Sequence, residues 1–133
     1  MNPTRLLLLL DEKPRAYQPG DLLAGRYSLE GVPPGDIRAV ELSVLWHTEG
    51  KGDEDMSVHF FERVESQNGE PVDLRQPRRF STELPNSPLS YDGLIVKIGW
   101  RVRVRVFLAH GKELTDEVPF RLGNVPQPEE APA

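Results

Sequence analysis

Cysteine is absent from the 133 residues. That excludes a disulfide framework, a thiolate nucleophile and any Cys-based metal site, and it leaves stability to packing alone. Long apolar runs are missing as well. Leu6, Leu7, Leu8, Leu9 and Leu10 follow a single arginine, but Asp11, Glu12 and Lys13 come at once. A secretory core needs about 7–15 apolar residues and a cleavage site, and a membrane helix about 18. Residues 6–10 therefore read as a buried first strand, and a cytoplasmic location is expected. Positive charge is outnumbered: 16 Lys and Arg against 21 Asp and Glu leave a net −5, which argues against nucleic-acid binding through phosphates.

The residues of active sites are scarce too. His47, His59 and His110 are scattered, and only the first two can lie on neighbouring strands, so no structural zinc site is expected. Asp53, Glu54 and Asp55 lack the alternating spacing of a calcium loop and read as a solvated turn. Ser90 sits in Pro-Leu-Ser-Tyr-Asp-Gly rather than a Gly-x-Ser-x-Gly elbow, and no glycine-rich loop opens a helix for phosphates. No catalytic constellation, cofactor or metal is expected.

What is present is punctuation and alternation. The 13 prolines and 11 glycines separate runs in which apolar residues recur at period two, the signature of strands. In residues 37–46, Val40, Leu42, Val44 and Trp46 share one parity. Residues 55–64 continue with Met56, Val58 and Phe60 until Phe61 breaks the pattern, which predicts a bulge or the strand's exit from the sheet. Between them, 48–55 reads as an exposed hairpin loop. In residues 94–109 every even position from Leu94 to Leu108 is apolar, so that face is expected to be buried. Such a strand would run roughly 50 Å at about 3.3 Å per residue, with a bend placed at Gly99.

A three-residue loop, His110-Gly111-Lys112, would return the chain into a strand over 113–122. That register pairs Val104 with Val118, Val102 with Phe120 and Trp100 with Leu122. Trp46 and Trp100 fall on apolar parities and read as core. Weaker strands are expected over 22–30 and 79–84. About seven one-sided strands and no helix make the fold class all-β: an immunoglobulin-like or arrestin-like antiparallel sandwich over 1–124, with a disordered Pro/Glu tail over 125–133.

Two stretches carry a family resemblance. Tyr17-Gln-Pro-Gly-Asp-Leu-Leu-Ala-Gly25 resembles the segment that opens the second strand of arrestin-like domains. Phe80-Ser-Thr-Glu-Leu-Pro85, leading to Pro88-Leu-Ser-Tyr-Asp-Gly93 and a long strand, resembles the Phe-x-Phe-x-Leu-Pro…Pro-x-Ser-Tyr-x-Gly segment of the same family. Physically, Pro19-Gly20 makes a turn, Gly25 marks a bulge or a close backbone contact, and 85–93 is a rigid crossover between sheets. The family includes receptor-binding arrestins, the retromer's arrestin-like subunit and bacterial sporulation-control proteins. The resemblance implies a sandwich that serves as scaffold or cargo adaptor. Thr82 replaces the second aromatic, and one domain stands where arrestins have two, so neither their activation mechanism nor phosphate recognition carries over.

On the opposite parity of the long strand, Arg101, Arg103 and Arg105 form a ridge continued by Lys97, with Phe107 and Ile95 at its ends. The ridge can grip an acidic protein surface or anionic lipid headgroups. It can equally be a solvated face whose charges pair with neighbours such as Glu117. Phe107 and Ile95 are either exposed anchors or covered by a loop. The expectation is a non-enzymatic adaptor or scaffold that binds a protein partner through this basic strand face or an exposed sheet edge, in one version at the cytoplasmic membrane surface as a peripheral protein. The alternatives are a carbohydrate or small-molecule sandwich using Tyr91, Phe107 and Phe61 as a platform, and a structural subunit or homo-oligomer.

Overall fold

Alternating side chains become nine strands in the computed structural model, which describes residues 3–12, 16–50 and 54–123. They are β1 (Arg5–Leu10), β2 (Ala16–Tyr17), β3 (Leu22–Glu30), β4 (Ile37–Gly50), β5 (Met56–Glu65), β6 (Arg78–Glu83), β7 (Tyr91–Asp92), β8 (Val96–Leu108) and β9 (Glu113–Leu122), with one 3-10 turn at Pro34–Asp36. The two strands beyond the expected seven, β2 and β7, are two residues each, too short to show a period. The expected tail over 125–133 and Asp53 lie outside the described residues.

The strands form two layers. One sheet has the order β1-β3-β6; the other has β2-β9-β8-β4-β5, with β7 also paired to β8. Each layer buries one face against the other, as one-sided strands require. Leu8, Leu23, Tyr27, Leu29 and Phe80 come from the smaller sheet. Val40, Leu42, Val44, Trp100, Val102, Val104, Val106, Phe120 and Leu122 come from the larger. Trp46 packs against this core at its margin. Val72 and Leu74, from the β5–β6 connection, join it, and the Leu29 N–H donates to the Leu74 carbonyl at 2.8 Å.

Two details depart from the sequence reading. The β8–β9 register is Trp100 with Phe120, Val102 with Val118 and Phe107 with Glu113, two residues from the expected pairing. The loop does have three residues, but the Leu108 N–H donates to the Lys112 carbonyl at 2.8 Å, so the loop is Ala109-His110-Gly111. A three-residue hairpin loop needs its left-handed residue last, and Gly111, at φ +83°, takes that place. Second, β8 is an unbroken strand that begins only at Val96. Leu94 and Val96 are 97% and 41% exposed despite their parity, because alternation sets which side a residue faces and not whether a second layer reaches it. Gly99, where a bend is expected, lies within the strand with no shift of register. Its missing Cβ makes room for the His47 ring, whose Cε1 would lie 2.9 Å from such an atom.

The bulge falls beside the expected place. Val44 pairs with Phe60 and Leu45 with Val58, leaving His59 as the extra residue. The ring turns toward the other sheet, where Nε2 lies 2.8 Å from the Glu83 carbonyl oxygen.

Candidate functional site

The two motif stretches are neighbours in space. A turn over 18–21, closed by the Asp21 N–H on the Gln18 carbonyl at 3.0 Å, has Pro19 and Gly20 (φ +88°) at its centre. From it the Gly20 N–H donates to the Leu84 carbonyl, and the Leu84 N–H to that of Asp21, both at 2.9 Å. Farther along, Gly25 pairs with Phe80. A Cβ on Gly25 would sit 2.5 Å from the Leu9 carbonyl oxygen and 2.8 Å from Phe80 Cζ, so this glycine marks a close contact. Trp100 Nε1 donates to the Pro88 carbonyl at 2.8 Å. The buried Ser90 hydroxyl accepts the Leu122 N–H at 2.8 Å. Gly20, Leu84, Gly25, Pro88 and Ser90 thus close the sandwich, and none of these groups faces a cleft as a reactive atom would.

The outer face of the larger sheet is where chemistry is displayed. Register sets it out in rows across β5, β4, β8 and β9: Val58-Leu45-Arg101-Pro119, then Phe61-Ser43-Arg103-Glu117, then Arg63-Glu41-Arg105-Thr115, then Glu65-Ala39-Phe107-Glu113. The arginine ridge forms, and every member has a carboxylate. Arg101 and Arg103 each place Nε 3.0 Å from Glu117. Arg105 lies 2.6 Å from Glu113 and 3.7 Å from Glu41. Arg63 reaches Glu41 and Glu65. The hydrogen bond from Arg105 holds the Glu113 carboxyl below its ordinary range. Lys97, farther up the strand, pairs with Asp92 at 3.6 Å. Phe107 lies under two guanidiniums, with Arg105 and Arg63 at 5.1 and 5.5 Å from its ring centroid. It is a half-covered part of the network rather than a free anchor.

The other candidates separate. His47 is on the outer face with Nε2 3.1 Å from Glu49, whereas His59, still exposed, reaches across to the Glu83 carbonyl and His110 is in the β8–β9 loop. Among the described residues no three His, Asp or Glu side chains converge as a metal site would require. Phe61, Phe107 and Tyr91 lie on three different strands and in different rows, and form no platform.

Exposed apolar side chains gather elsewhere. Met56, Val58 and Phe61, each about half exposed, run along the outer side of β5, an edge strand paired only with β4 among the described residues. Beneath them Leu45 is buried although it faces outward. A second group caps one end of the sandwich: Tyr91, Leu94, Ile95 and Val96 in and around the β7–β8 turn.

No protein-family model matches the chain, and no curated protein matches it in sequence. Among solved structures, Spo0M, the sporulation control protein from Bacillus subtilis, matches with a TM-score of 0.65 and 16% identity, over 93% of this chain and 51% of that one. The fold is arrestin-like. At this identity the likeness concerns the fold, and the chain spans about half the length of Spo0M. No helix among the described residues is long and apolar enough to cross a membrane.

On this arrestin-like sandwich, periodicity finds the ridge but misses the β5 strip and the end cap. Val58 and Met56 share the apolar parity of a buried strand, and only the bulge at His59 turns them outward. Leu94 and Val96 read as strand core until the turn is seen, while Ile95, on the other parity, takes the exposed one of its two expected places. One signal for the cap was available, namely Gly93 beside three aliphatics with no polar residue between them.

Proposed function

We propose that this chain is a non-enzymatic interaction module, an adaptor or scaffold, that binds a protein partner through the outer face of the larger sheet at its β5 edge. The observation that carries the reading is the file of Met56, Val58 and Phe61, half exposed on a strand with no partner on its outer side among the described residues. An open edge offers backbone donors and acceptors to an added strand, and side chains on one face supply selectivity. Regular pairing suits the part of β5 after the His59 bulge best. The Arg and Glu rows beside the file would orient a partner and exclude mismatched ones more than they would add affinity. A non-enzymatic role is supported by the burial of Ser90 and by the separation of the three histidines. A partner at the membrane surface fits this reading, as does a second copy of the chain at the same edge.

The test is affinity capture from native lysate split into membrane and soluble fractions, with the unaltered chain beside Val58→Asp/Phe61→Asp. The expected result is a discrete partner lost in the variant, in a fraction that says whether the partner is membrane-bound. Recovery of the same partners by both proteins would remove the β5 face from the proposal. Sedimentation of the purified chain separates the second-copy case: a dimer that the variant dissolves would make this edge a self-association surface.

A further inference from the structure

The β4–β5 hairpin and the β7–β8 turn meet at one end of the sandwich. Gly50 pairs with Val96 and Glu49 with Lys97, and a Cβ on Gly50 would lie 2.8 Å from the Ile95 carbonyl oxygen. The returning strand is tied at the same level: the Thr48 N–H donates to the Asp55 carbonyl at 2.8 Å, and the Asp55 N–H to Thr48 Oγ1 at 3.0 Å. In the turn, the Gly93 N–H donates to the Val96 carbonyl at 3.1 Å. That leaves Leu94 97% and Ile95 76% exposed, with Tyr91 and Val96 about half exposed beside them.

The cap therefore has an apolar crown and a charged rim. Register and the Thr48–Asp55 hydrogen bonds bring Glu49, Glu54, Asp55 and Asp92 to the same end as the cations Lys97 and Arg121; Lys97 is paired with Asp92, and Glu49 with His47. Among the described residues the rim carries more carboxylates than cations. An aliphatic crown so fully in water gains by being covered, and an acidic rim selects what covers it. An anionic lipid surface is repelled; a second copy presents the same acidic rim and is repelled likewise. A segment with Lys or Arg flanking apolar residues is attracted on both counts.

We propose that this end cap binds a cationic amphipathic segment of a protein partner. The segment's apolar side chains cover Leu94, Ile95 and Tyr91, and its cations reach Glu49, Glu54 and Asp55. This rests on the interaction-module reading but uses a different surface from the β5 face, so the two can fail separately.

The probe is a fluorescent amphipathic peptide built of Leu and Lys, titrated with the full chain by anisotropy, with a Leu/Glu peptide of the same pattern as control. The Leu/Lys peptide is expected to bind, to weaken as salt rises, and to bind at least about tenfold more weakly to Leu94→Ser/Ile95→Ser, which keeps every charge. Glu54→Gln/Asp55→Asn, which keeps the crown, is expected to lose several-fold. Because these side chains are exposed, far-UV circular dichroism should show all variants folded. The proposal is overturned if no peptide binds, if the Leu/Glu peptide binds equally, or if Leu94→Ser/Ile95→Ser binds like the unaltered chain. It is also overturned if phosphatidylcholine vesicles take up the chain through Leu94 and Ile95 in preference to the peptide. If Val58→Asp/Phe61→Asp alone abolishes peptide binding, the end-cap assignment falls while the interaction-module reading stands.

Discussion

Single residues show why the motif positions carry the types they do. Ser90 is buried, and its hydroxyl is the acceptor for the Leu122 N–H. Ser90→Ala leaves that donor unpaired, and we expect a loss of about 1–3 kcal/mol in urea unfolding. Gly25→Ala drives a methyl into the Leu9 carbonyl and the Phe80 ring, and a loss of about 1–3 kcal/mol is expected by the same measurement. Tyr27 titrates unusually. Burial pushes its hydroxyl from 10 up to about 12, with Arg78 pulling the other way. Between those values the unfolded chain gives up the proton and the folded one keeps it. Stability from this group is therefore whole below pH 10 and is lost as pH rises through about 12, at roughly 1.4 kcal/mol per unit. Unfolding at pH 9 and pH 11 should show the fall, and Tyr27→Phe should remove it.

At the scale of strands, the larger sheet separates packing from display. Leu45 and Phe61 both face outward, yet Leu45 is 1% exposed and Phe61 53%. Leu45→Ala should cost about 2–4 kcal/mol of stability, because it opens a cavity under Val58 and Arg101. Phe61→Ser should cost less than about 1 kcal/mol. A chemical-denaturation pair that gave equal losses would contradict the assignment of Phe61 to a binding surface. The arginine ridge obeys the same distinction. Its members are partly exposed and paired across strands, so Arg103→Gln/Arg105→Gln should change stability by no more than about 1 kcal/mol. Reversal to Glu would set like charges against Glu117, Glu113 and Glu41, which makes the neutral variant the cleaner probe of binding.

For the whole molecule, one core joins the two sheets. Trp100 links them: its ring meets Phe120 on its own sheet at 5.8 Å and His59 at 6.0 Å, and His59 reaches the carbonyl of Glu83 in the other. The layers should therefore unfold together, with tryptophan fluorescence and far-UV circular dichroism tracing coincident transitions. Separate midpoints would mean that the smaller sheet is not held by this core. The absence of net charge along the ridge also moves attention away from it. Its charges are complementary within the sheet, whereas the end cap and the β5 file present apolar side chains that no opposing layer covers.

Strand positions were legible in the sequence because a half-buried strand writes its burial at period two, and β3 and β9 match the residues expected, 22–30 and 113–122. Turn chemistry was legible at Pro19-Gly20, and the loop length before β9 was right. The arrestin-like motifs were legible because their prolines and glycines, with Ser90, are structural, closing a turn, a contact or a crossover. Register was not, because shifting a hairpin by two residues keeps every side chain on its face, and only the left-handed place of Gly111 decides it. The exposed crown and the β5 file were not legible either. Parity names a side of the sheet, while exposure depends on how far the opposing layer extends and on the bulge at His59, and both are decided by the tertiary structure.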